Sequence, residues 1–182
     1  MQAKIKWKSL GYTHGNWKLD PTQLQTLEKD ILRVGVTQEK EQVITTYHVK
    51  DKDLECLDFL HNFYKERVDE IAKDQFFFNN SKIHFVFWIQ VYNKLTYHPI
   101  HDHFGCGDDT VLSFVHFLKP VETCFEFTDK TQSLVPQQQE GDLIVFPSYV
   151  THRVKQHNAN VNRICLVYTS DAADECPGGD RG

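Results

Sequence analysis

The sequence predicts an α+β fold in which N-terminal helices pack on one sheet of a β-sandwich or jelly roll. Two patterns carry that expectation. Before residue 75, apolar residues recur at three- and four-residue spacing, as on one face of a helix. After residue 82 the period shortens, aromatic and β-branched residues dominate, and turn clusters separate one short run from the next. Helices first and strands second is the order of a helix layer laid on a sandwich.

The first helix opens at Asp20 and Pro21. Aspartate is a good N-cap, and proline suits the first helical position, where its missing N–H is no loss. Leu24, Leu27, Ile31 and Val34 form its stripe, and Gly35 ends it. A short strand is expected over 43–49. A longer helix over 53–73 follows, with Leu57, Leu60, Tyr64, Val68 and Ile71 inward and Lys65, Glu66, Asp69 and Glu70 in water. Asn79, Asn80 and Ser81 read as a turn. Strands are expected over 83–92, 96–103, 110–119, 123–128, 142–147, 150–155 and 162–169. Gly105 to Asp109, Lys119 with Pro120, and Glu140 to Asp142 separate them.

The 182 residues suffice for one domain with a real core. The expected domain spans 1–170, with helical support over about 20–75 and a β core over about 82–169. The tail, 171–182, is polar and glycine-rich, and reads as disordered or non-native sequence. The formal net charge of −5 argues against sequence-independent nucleic-acid binding, which needs a basic surplus. The five cysteines contain no Cys-x-x-Cys pair, so neither a disulfide framework nor a thiolate zinc site is expected. A reducing, cytoplasmic setting fits. No apolar run approaches the roughly 20 residues of a membrane span, and no membrane association is expected. Oligomeric state is not legible.

Chemistry concentrates in the histidines. His98, His101, His103 and His116 lie within one stretch. Residues i and i+2 of a strand share a face, so His101 and His103 can aim two imidazoles at one point, with Asp102 turned away. The same pair also reads as surface histidines beside an acidic loop. His152 follows a strand-like run, and Arg163 lies on the next strand among apolar neighbours. Three neutral imidazoles suit Fe(II) or Zn(II). A buried arginine wants a carboxylate, from an acidic small molecule or from the protein itself. Gln90 and Tyr92 share a strand face, as do Arg163 and Cys165. His98 reads as substrate-facing or as support for the metal site.

Residues from about 84 to 168 resemble the 2-oxoglutarate- and Fe(II)-dependent oxygenase superfamily. The similarity is greatest to a group of uncharacterised oxygenases of marine bacteria and phages with a His-x-His motif. It rests on the Trp88–Asn93 run (WIQVYN), on His98-Pro-Ile-His101-Asp-His103, and on Gly141 to Ser148 (GDLIVFPS) followed by His152 and Arg163. The resemblance implies a double-stranded β-helix of the cupin-like kind. It implies Fe(II) held by His101, His103 and His152, with 2-oxoglutarate and O2 as co-substrates. Arg163 would bind the far carboxylate, with Gln90, Tyr92 and His116 also facing the co-substrate. Asp102, His98 and Cys165 would lie around them. The implied reaction is C–H hydroxylation of a small-molecule or peptidyl substrate, with release of succinate and CO2. This chain places His103 where most members carry a carboxylate, and His116 and Phe117 where the related group has tyrosines. Those departures leave two other readings open. One is a three-histidine cupin-type metalloenzyme, either a 2-oxoglutarate-independent dioxygenase or a zinc hydrolase. The other is a non-catalytic binding module. Asp102, Asp108 and Asp109 are alternative sources of a carboxylate ligand.

Overall fold

The computed structural model describes residues 13–38, 43–50, 53–76, 82–103, 110–129 and 131–173. Helix α1 spans Pro21–Val34. Asp20 caps it by accepting from the Thr22 and Gln23 amides at 2.8 and 3.0 Å, and the Gln23 side chain accepts from the Asp20 amide. That reciprocal box satisfies donors that a helix start otherwise leaves orphaned. Helix α2 spans Leu57–Phe76. Asp30 of α1 is fully buried and accepts the Cys56 amide at 2.8 Å, which ties the two helices together. Both helices present the expected stripes. Leu27, Ile31, Leu57, Leu60 and Tyr64 are buried, with Leu24 and Val34 packed alongside. The side chains of Val68 and Ile71, and the Asn79–Ser81 turn, lie outside the described residues.

Among the described residues there are eleven strands, named here in chain order. They are β1 (Thr13–Asn16), β2 (Val36–Thr37), β3 (Ile44–Thr45), β4 (Lys82–Tyr92), β5 (His98–His101), β6 (Thr110–Lys119), β7 (Phe125–Thr128), β8 (Ser133–Leu134), β9 (Asp142–Pro147), β10 (His152–Val154) and β11 (Arg163–Ala173). They form two antiparallel sheets. The larger has the order β1-β9-β6-β11-β4-β3-β2, and the smaller β5-β10-β7-β8. This is the jelly-roll arrangement, an α+β double-stranded β-helix with helices on one sheet. Strand alternation sorts the core into two layers. Phe87, Ile89, Val91, Phe114, Leu166 and Tyr168 meet the helices. Trp88, Tyr92, Val115, Phe117, Phe146, Cys165 and Val167 of the large sheet pack with Phe125 and Phe127 of the small sheet.

The turn at Gly141 fastens the N-terminal segment to this frame beside the β1–β9 ladder. Gly141 has φ +86°, and a Cβ there would meet the Lys18 side chain and the Trp17 carbonyl. Its amide donates to Phe117 O and its carbonyl accepts from the Trp17 amide, both at 2.8 Å. Glycine is required here by the positive φ and by the close approach.

Several expected boundaries shift. The 43–49 strand shrinks to Ile44–Thr45, while β1, β2 and β8 had no sequence expectation. These short strands depend on a neighbour to pair with, and no local pattern reports a neighbour. Strand β11 runs through Ala173, pairing residue by residue with β4 back to Lys82. Residues 171–173, expected in the tail, are therefore strand. The ladder is a backbone interaction, so the polar Asp171 and the small Ala172 and Ala173 continue it wherever β4 offers a partner. Residues 174–182 lie outside the described part. Among the described residues, no helix is long and apolar enough to cross a membrane.

Candidate metal centre

Strands β5 and β10 pair antiparallel, with His152 directly opposite His101. The register slips between that pair and Val154↔His98, a bulge that re-aims the end of β5. Strand β5 stops at His101, shorter than the expected 96–103. Alternation nevertheless persists for two more residues. Asp102 is exposed, and His103 turns inward with its amide donating to Ser148 O at 2.9 Å. The ligand-capable atoms of His101, His103 and His152 lie within 4.8 Å of one another. Among the described residues no carboxylate joins that group. Asp102 stays at the pocket rim, where its charge works against the loss of basicity at His101. Asp108 and Asp109 lie outside the described residues.

Burial keeps the triad neutral. Desolvation holds His101 below the usual imidazole range, lowers His103 to about 4, and holds His152 far below. Neutral imidazoles are the form that binds a metal. Each ring is anchored through Nδ1. His101 donates to Pro99 O at 2.8 Å, His152 donates to Val150 O at 3.0 Å, and His103 meets Ser113 Oγ at 2.8 Å. With Nδ1 so engaged, Nε2 is the nitrogen left for an ion. His98 stacks on His101, with ring centroids 4.1 Å apart and planes 19° apart.

The triad opens into a cavity of about 450 Å³ between the sheets. Its floor follows the pairs Tyr92↔Arg163, Gln90↔Cys165, Trp88↔Val167 and Val86↔Thr169. Exposure rises along it, from 1% at Tyr92 to 45% at Val86, so the arginine end is closed and the valine end open. Arg163 is fully buried. Its guanidinium lies 5.0 Å from the Tyr92 ring and 5.6 Å from the Phe117 ring. Among the described residues, Nε, Nη1 and Nη2 have no hydrogen-bond partner. A buried cation without an anion is costly, by several kcal/mol, so these donors fit an acidic ligand. The Tyr92 hydroxyl donates to Gln90 Oε1 at 2.6 Å, and burial pushes its pKa up, so it remains a neutral donor. The three nitrogen donors and the orphaned guanidinium of one cavity thus suit a divalent metal and an acidic ligand.

A family model described as "Putative 2OG-Fe(II) oxygenase" matches residues 107–169. The match takes in His152 and Arg163 and begins after His103. Over that segment, about a third of the chain, the sequence resembles the 2OG-Fe(II) oxygenase family. An oxidoreductase of the 2OG-Fe(II) oxygenase family from Burkholderia pseudomallei superposes with a TM-score of 0.70 at 16% identity, covering 94% of this chain and 89% of that one. A Pseudomonas putida prolyl-4-hydroxylase gives 0.67 at 16% identity, over 90% and 94% of the two chains. The non-heme alpha ketoglutarate dependent epimerase SnoN from nogalamycin biosynthesis gives 0.69 at 14% identity, over 94% and 87%. At these identities the likeness is one of fold. No curated protein sequence matches. Fe(II), 2-oxoglutarate and O2 are the cofactor and co-substrates of this oxygenase class.

The structure gathers Gln90, Tyr92, His98, His101, Asp102, His103, His152, Arg163 and Cys165 around one cavity. It does not bring His116 there. On β6, Ser113, Val115 and Phe117 face the cavity side, whereas Phe114, His116 and Leu118 face the helices. His116 bonds the Tyr64 hydroxyl through Nδ1, and its Nε2 donates to Trp17 O at 2.8 Å. The expectation that it faces the co-substrate is therefore corrected by one step of strand register. Sequence reasoning also passed over Ser113 and Ser148, which support His103, and Trp88, whose ring lies 5.7 Å from His103. The period-2 pattern of β6 already placed Ser113 with Val115 and Phe117, but a serine carries no signal of its partner.

Proposed function

We propose that this protein is a 2OG-Fe(II) oxygenase that couples 2-oxoglutarate turnover to hydroxylation of a substrate C–H bond, releasing succinate and CO2. Fe(II) would be held by His101, His103 and His152, and the co-substrate by Arg163. The observation that carries the reading is the fully buried Arg163, with three unpartnered nitrogens, in the same cavity as the triad. When bound, the metal supplies activation of O2 coupled to oxidative decarboxylation of the 2-oxo acid.

The chain's own residues do the rest. Arg163 receives the far carboxylate by a charge-assisted pair, with the neutral Tyr92 hydroxyl beside it. Trp88, Val115, Phe125 and Val167 line the cavity between the sheets with apolar surface, which keeps water from the reacting groups. The open end at Val86 and Tyr47 would admit a small-molecule or peptidyl substrate.

The test is direct. Protein reconstituted anaerobically with Fe(II), then given 2-oxoglutarate, ascorbate and O2, should release succinate, and His152→Ala should lose both metal and turnover. Tightly held zinc with no succinate would overturn the reading in favour of a zinc hydrolase. The imidazole at His103, in place of a carboxylate, gives that second reading its footing.

A further inference from the structure

The three candidate ligands are anchored through Nδ1, but not by the same kind of group. His101 and His152 each face a backbone carbonyl, Pro99 O and Val150 O. A carbonyl only accepts, so both rings keep their proton on Nδ1 and their lone pair on Nε2. His103 instead faces a hydroxyl, Ser113 Oγ, which lies 3.1 Å from a second hydroxyl, Ser148 Oγ. A hydroxyl can donate or accept. When Ser113 donates to Ser148, it accepts from His103 Nδ1–H, and Nε2 carries the lone pair. When Ser113 donates to His103 instead, the proton moves to Nε2 and the ring cannot ligate. Ser113 and Ser148 are fully buried and His103 is 7% exposed, so bulk water does not substitute for either partner. Ser148 also accepts the His103 amide at 2.9 Å, so one residue steadies both the backbone and, through Ser113, the ring.

We propose that Ser113 is a positioning residue for His103, and that the direction of the Ser113–Ser148 hydroxyl pair sets whether His103 is available to a metal. The proposal rests on the reading of His103 as a ligand. Two ligands are fixed in the binding tautomer by backbone geometry. The third is fixed only when the hydroxyl pair points away from it, and metal capture selects that direction.

Co(II) affinity of the whole 182-residue chain, with histidine ring 15N shifts of the metal-free protein, tests this. Wild-type His101 and His152 should each show a single Nδ1–H tautomer, and His103 a mixture of both. Ser113→Ala should weaken Co(II) binding roughly 10–100-fold, the range typical for loss of a metal ligand's supporting partner. Ser113→Thr, which keeps the hydroxyl, should restore most of it. Ser148→Ala removes the hydroxyl to which Ser113 donates, so it should shift His103 toward the Nε2–H tautomer and also weaken Co(II), although among the described residues the Ser148 hydroxyl makes no hydrogen bond to the ring. Should Ser113→Ala not fold, Ser148→Ala decides. Wild-type Co(II) affinity in both alanine variants, or a wild-type His103 tautomer pattern identical to that of His101 and His152, would overturn the proposal. Wild-type affinity in His101→Ala and His152→Ala would instead sink the metal-site reading beneath it.

Discussion

Arg163 and His116 show what single residues contribute and how differently each can be read. Arg163 is a buried cation whose nitrogens have no protein acceptor among the described residues. Replacing it with methionine should raise the KM for 2-oxoglutarate by about two orders of magnitude, as expected for a lost buried charge pair worth about 3 kcal/mol. Thermal stability without co-substrate should hold or rise, because the unpaired charge is gone. A fall in stability with unchanged KM would show that Arg163 serves the core alone. His116 is buried on the opposite face of its sheet and lowered to about 4, chiefly by desolvation. Its folded pKa lies below the ordinary value near 6.5, so the unfolded chain binds the proton first. Its contribution to stability is present above about pH 6.5 and is lost progressively as the pH falls toward 4. Urea midpoints measured across that window should decline in the wild type and decline less in His116→Gln.

At the scale of elements, α1 was the most legible. Asp20, Pro21 and Gly35 announce its ends, and the helix runs Pro21–Val34 as they imply. Asp20→Ala removes the side-chain acceptor of the capping box and should destabilise the chain by about 1 kcal/mol in chemical denaturation, with Co(II) affinity unchanged. A change in metal affinity would mean that α1 reaches the site as more than a buttress. Strand β5 was legible in its alternation but not in its length. His101 and His103 do share a side, yet the strand ends between them and His103 is held by a backbone bond to Ser148. The error at His116 belongs to this scale too. A strand pattern says that alternate residues part company, but not which set meets the cavity when both faces of the sheet are buried. Strand β6 has buried side chains throughout Leu112 to Leu118, so hydrophobicity could not choose between its faces.

For the whole molecule, the site is a property of two sheets brought together. The small sheet brings His101 and His152 face to face across β5 and β10. The large sheet supplies Arg163, Tyr92 and Gln90. A ligand that bridges them should tie the sandwich shut. Fe(II) or Co(II) with 2-oxoglutarate, at about one hundred times the apparent Kd, should stabilise the folded protein by about 2.7 kcal/mol. Differential scanning fluorimetry should show the co-substrate's share of that rise disappearing in Arg163→Met, and a chelator should reverse the metal's share. No rise in the wild type would mean that the cavity does not take these ligands.

The sequence alone determined the fold class, the helix stripes, most of the β core, and a short set of residues worth testing as ligands. These follow from local rules: caps, periods of 3.6 and 2, and the resemblance carried by the GDLIVFPS run with its later histidine and arginine. The tertiary structure decided what depends on a partner distant in sequence. It set His152 opposite His101, turned His116 toward Tyr64, and left Arg163 without a protein carboxylate among the described residues. It also put Ser113 and Ser148 behind His103. A side chain's periodicity is written in its own strand. Its hydrogen-bond partner is written in another, and only packing brings the two together.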